Sequence, residues 1–134
     1  MHTTMFVNLP VSDVARSRAF FADLGYSFNE NFSDDRAVSL VLGENLVAML
    51  LQRDFFDTFH PAQTADATVT KECVVCLDAE SRDAVDQLVD RAIAAGGKPG
   101  DTEDHGFMYG RSYDDLDGHS WQIMWMDPSA AQAE

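Results

Sequence analysis

The stretch "YDDLDGHSWQIMW", residues 113–125, decides how this chain is read. Asp117-Gly118 is a turn signal, and Asp-Gly ahead of an alternating run marks a hairpin. In the run that follows, Trp121, Ile123 and Trp125 share one side, while Ser120, Gln122 and Met124 share the other. A period of two is the signature of a strand. Gln122 therefore sets a neutral amide in the middle of a strand otherwise fit for a core, and such a group must be paired with something.

Upstream of the turn, "GFMYGRSYDD" (106–115) reads as the partner strand. Further upstream, Val74 to Ala79 form a strand, Ser81 is a helix cap, and Val85, Leu88, Ala92 and Ala95 make one helix face closed by Gly96. The same plan occurs earlier. Phe6 to Val11 form a strand, Ser12 and Asp13 are caps, and Val14, Ser17, Phe21 and Leu24 make a helix face ending at Gly25. "AVSLVLG" and "ENLVAMLLQ" follow as strands around the turn Gly43-Glu44-Asn45. The chain thus contains one plan twice: strand, helix, then two or three strands.

These elements predict an α+β fold. One domain over 1–128 is expected, built of modules at about 4–53 and 71–127, with a linker at 54–70 and a flexible tail at 129–134. The linker begins with a helical turn whose Phe55, Phe56 and Phe59 either cap a pocket or fill a seam. In each half the helix covers one sheet face. Two halves set side by side would curl their other faces into an open cup able to hold a ligand.

The 134 residues suit one domain with its own core, and 46% hydrophobic residues are globular composition. The formal net charge of −14 repels phosphate backbones and anionic membranes, so neither nucleic acid nor membrane is expected as a partner. No apolar run approaches the ~20 residues of a membrane span. No signal peptide is read at the N-terminus, which points to the cytoplasm. Cys73 and Cys76 match C-x-x-C, but on a strand their side chains point to opposite faces; they are expected to be structural thiols.

"FVNLPVSDVARSRAFFADLGYSF" (6–28) resembles the opening of a vicinal-oxygen-chelate protein, the superfamily of glyoxalases, bleomycin-resistance proteins and extradiol dioxygenases. "DLDGHSWQIMWMDP" (115–128) is similar to that superfamily's closing strand. The resemblance implies paired βαβββ modules and, commonly, a homodimer. It also implies metal ligands on the first and last strand of each module. Carried onto this chain, those positions are Phe6 and Val47 in the first module and Val74 and Gln122 in the second. Three are apolar, so no metal or other cofactor is expected there.

Strand parity turns Phe6, Asn8, Val47, Met49, Val74, Cys76, Gln122 and Met124 toward the cup as ligand-binding residues. His105, in an acidic loop, and Tyr109 are candidates for acid–base chemistry, and Arg111 for a salt bridge. Two functions are open. One is metal-independent binding of a small organic molecule; the other is a metal-dependent lyase or extradiol dioxygenase.

Overall fold

The computed structural model describes residues 1–129; of the expected flexible tail at 129–134, all but Ser129 lies outside the described residues. The chain divides into two compact units, Met1–Ala65 and Asp66–Glu134, with the boundary inside the linker.

The first unit holds β1 (Met5–Val11), α1 (Val14–Asp23), β2 (Ser27–Phe28), β3 (Ala37–Gly43), β4 (Leu46–Gln52) and the single-turn α2 (Arg53–Phe56). Its sheet runs β1-β4-β3-β2, with β1 parallel to β4 and the other pairs antiparallel. The helix starts where Asp13 supplies an acceptor for the otherwise orphaned N–H of Arg16, at 3.2 Å. Val14, Ser17, Phe20 and Phe21 are its buried face. Leu9, Val38, Leu40, Ala48 and Leu50 share one sheet parity and are buried as well. The linker is not loose: α2 lies against β1 and β4, and Phe55 and Phe59 meet edge to face at 5.2 Å.

The second unit repeats the order: β5 (Val74–Asp78), α3 (Arg82–Ala94), β6 (Lys98–Asp104), β7 (Met108–Asp114) and β8 (Ser120–Met126). Its sheet is β5-β8-β7-β6, again with the first and last strands parallel. Ser81 caps α3 by accepting from the Ala84 N–H at 3.0 Å. The buried helix positions are Val85, Val89 and Ala92; Val89 takes the place expected for Leu88, which is half-buried. Tyr113, Trp121 and Ile123 are the sheet's share of the core. Each unit is therefore a βαβββ module of α+β type, and the strands left open by the sequence are β2 and β6.

The Asp117-Gly118 turn is wider than a two-residue hairpin. Residues 115–119 connect β7 to β8, and the buried Asp115 organises them. Its Oδ1 accepts from the backbone N–H of Asp117 (2.9 Å) and His119 (3.0 Å), and its Oδ2 accepts from the indole Nε1–H of Trp121 (2.9 Å).

Tyr26, just after α1, packs against Phe21 at 6.2 Å between ring centroids. Burial pushes its phenol from 10.0 up to about 12. The folded state thus holds this proton more tightly than the unfolded chain does. Its contribution is complete below pH 10 and is lost as pH rises through about 12. Alkaline unfolding in urea should show roughly 2 kcal/mol of this loss, absent in Tyr26→Phe.

Candidate functional site

Each sheet has a helix-covered face and an opposite one. In the second module the covered face is marked by the contacts of α3. The Tyr109 hydroxyl donates to Asp86 Oδ1 at 2.6 Å, and one Arg111 nitrogen reaches Asp86 (3.0 Å) and Asp90 (2.9 Å). Arg82 holds Asp104 with two hydrogen bonds of 2.7 and 3.0 Å while its guanidinium stacks over Tyr109 (4.8 Å) and Trp125 (5.5 Å). That pairing, helped by the Gly106 N–H, draws the Asp104 carboxyl down to about 2. These charges staple the β6–β7 hairpin to α3; Arg111 makes the internal salt bridges expected of it.

The ladder places the remaining side chains on the opposite face, since residues directly across from one another share a side. Ser112 lies opposite Gln122, Gly110 opposite Met124, and Met108 opposite Met126. On the other flank Val74 lies opposite Ser120, Cys76 opposite Gln122, and Asp78 opposite Met124. Gln122 thus sits between Cys76 and Ser112, with Val74 one diagonal step away. Its side-chain amide has no hydrogen-bond partner among the described residues, although Ser112 is used by the Asp101 carbonyl (3.3 Å) and Ser120 by Asp114 (2.7 Å). Both cysteines are free and exposed. Burial first, and the charge of Asp78 second, raise the Cys76 thiol, so it stays protonated at neutral pH.

In the first module Phe6 pairs with Val47 and Asn8 with Met49. This is the face opposite Leu9 and Leu50. Phe6 is 61% exposed, and the Asn8 amide is also without a hydrogen-bond partner among the described residues.

The structure brings Val74, Cys76, Gln122 and Met124 onto one face of the second module, and Phe6, Asn8, Val47 and Met49 onto one face of the first. It does not bring Tyr109 or His105 to Gln122. Tyr109 faces α3, where the bond to Asp86 and then burial raise its phenol. His105 is exposed in the β6–β7 turn, with Nε2 3.9 Å from Glu103. Met108 and Asp78 join the uncovered face, and sequence reasoning missed both. The signal for Met108 was its parity with Met126, obscured until the loop between the strands was known to be five residues long.

The divalent metal implied by the resemblance does not fit these residues. Phe6, Val47 and Val74 carry no donor atom, and Gln122 offers one neutral oxygen. A zinc-type site needs about three imidazole, thiolate or carboxylate donors. Among the described residues no group of three or more His, Cys, Asp and Glu side chains is placed to hold a metal ion. None of their helices is long and apolar enough to cross a membrane.

Residues 3–43 match the family model for the bleomycin resistance protein-like N-terminal region. No curated protein matches the chain by sequence. Among solved structures, a hypothetical protein from S. aureus is 28% identical, with a TM-score of 0.79 over 93% of this chain and 95% of that one. A glyoxalase/bleomycin resistance protein/dioxygenase family enzyme from Burkholderia phytofirmans PsJN is 18% identical, with a TM-score of 0.76 over 90% and 96%. A fosfomycin resistance protein from Mesorhizobium loti is 9% identical, with a TM-score of 0.71 over 98% of both chains. At such identities the last two share the fold alone. With two βαβββ modules the chain shares the fold of these glyoxalase, bleomycin-resistance and fosfomycin-resistance structures, and over residues 3–43 it is similar to the bleomycin resistance protein-like N-terminal family.

Proposed function

We propose that this chain binds a small organic molecule on the sheet faces opposite α1 and α3, without a divalent metal at the superfamily's usual position. The observation that carries the reading is Gln122: an unpaired amide set among Val74, Cys76 and Met124. An apolar surface with one or two polar points is the usual composition of a small-molecule site. In the first module Asn8 repeats the motif among Phe6, Val47 and Met49. The net charge of −14 favours neutral or cationic ligands over anionic ones. A cytoplasmic homodimer belongs to the same reading, and sedimentation of the full chain tests the dimer.

Titration calorimetry against a panel of neutral and cationic aromatic molecules tests the binding. A hit should weaken roughly tenfold in Gln122→Leu, the cost of one good hydrogen bond to the ligand. Gln122→Glu should not gain divalent metal, because one carboxylate cannot replace three missing donors. Stoichiometric zinc, nickel, iron or manganese in protein purified without chelator would instead favour a metal-dependent lyase or dioxygenase.

A further inference from the structure

The uncovered face of the second module ends in three methionines, and we propose that Met108, Met124 and Met126 form a thioether site for a soft monovalent cation, Cu(I) or Ag(I). The ladder arranges them as a block of two rows. Met108 faces Met126 in one row, and Gly110 faces Met124 in the other. Three corners carry thioethers, and the fourth carries no side chain. Met124 leans into that vacant corner: a Cβ on Gly110 would sit 3.7 Å from its Cε and 3.8 Å from its Cγ.

Cross-strand Cβ atoms lie about 5 Å apart, and methionine has three rotatable bonds beyond Cα, so three sulfurs on such a block can converge on one ion. They are not spent as core filler, for Met126 is 43% exposed and Met108 and Met124 are half-buried. Neutral thioethers select soft d10 ions and are poor ligands for zinc, magnesium or calcium. The corner also has a counter-charge. Asp78 lies across the ladder from Met124, exposed and without an ion-pair or hydrogen-bond partner among the described residues. A single positive ion suits one carboxylate nearby. Because no thioether must lose a proton, binding here is insensitive to pH, unlike capture by a thiolate. The site uses none of the donors of the superfamily's metal position, and it stands whether or not the same face takes an organic molecule.

The test uses the full chain with Cys73→Ser and Cys76→Ser, which removes thiol binding. Silver(I) nitrate is titrated in while methionine methyl resonances and the native mass are followed. One silver adduct should form, equally at mildly acid and neutral pH. The methyls of Met108, Met124 and Met126 should shift together, while those of Met1, Met5 and Met49 hold still. The Met108→Leu/Met124→Leu/Met126→Leu variant should lose the adduct. Leucine conserves volume, and a thermal melt checks that this variant folds. If it does not, the exposed Met126→Leu alone should weaken binding. No adduct, an adduct that survives these changes, or equal shifts of all methionine methyls would overturn the proposal.

Discussion

Replacing Asp115 with alanine should cost the second module about 3 kcal/mol or more, since each buried donor left without a partner costs about 1–3 kcal/mol. Three donors lose their acceptor together: the N–H groups of Asp117 and His119 and the indole of Trp121. Trp121 has no exposed surface, so water cannot replace the carboxylate without opening the core. Asp115→Asn should fall between, because its oxygen can still serve the two backbone groups while its NH2 opposes the indole N–H. Burial raises the Asp115 carboxyl, against the pull of the His119 charge and these donors, so holding it ionised already works against desolvation. Urea unfolding followed by tryptophan fluorescence measures the losses. A cost below about 1 kcal/mol for alanine would mean the loop does not depend on these bonds.

Gly118→Ala should be the second severe change, at about 2–4 kcal/mol. Two costs add. The residue sits at φ +84°, where side chains are strained, and a Cβ would lie 2.7 Å from the Thr68 N and 2.8 Å from the Ala67 carbonyl atoms. Those neighbours are backbone, in a turn tied by the Asp66 carboxylate to the Thr68 N–H at 2.9 Å, and they cannot swing away as a side chain would. Lys71 closes the same corner by donating to the Gly118 carbonyl and to Asp114. Gly106→Ala separates the two costs, because Gly106 has φ +80° with nothing within 4 Å of a Cβ. It should lose only about 1 kcal/mol, the conformational part. Equal thermal shifts for both variants would show that the close approach to residues 67 and 68 costs nothing.

Much of this architecture was legible because burial imprints period. The alternation of Trp121, Ile123 and Trp125 and the helix faces ending at Gly25 and Gly96 are direct records of one-sided packing. β6 left no such record. All seven of its residues, "KPGDTED", are exposed, so nothing selects alternation, and the charges, proline and glycine read as a loop. β2 is two residues long, too short for any period. The shared sheet face was legible where parity sufficed, as for Cys76, Gln122 and Met124. Met108 needed the register, which depends on how many residues the loop absorbs. Tyr109 and Arg111 carry chemistry attractive in a list of residues. Only the position of α3 reveals that Asp86 and Asp90 occupy them.

In each sheet the last strand made is an inner one: β4 lies between β1 and β3, and β8 between β5 and β7. A chain emerging from the ribosome therefore carries β1, then β5, as an apolar strand with no ladder to join. Met5 must wait for Leu46, and Val74 for Ser120. Hairpins between neighbours form early, but the parallel pairing that completes each sheet closes the longest loop in its module, the slow and aggregation-exposed step of such topologies. Nascent-chain protection of β1 and β5 is thus a demand that this fold places on the cell twice per molecule.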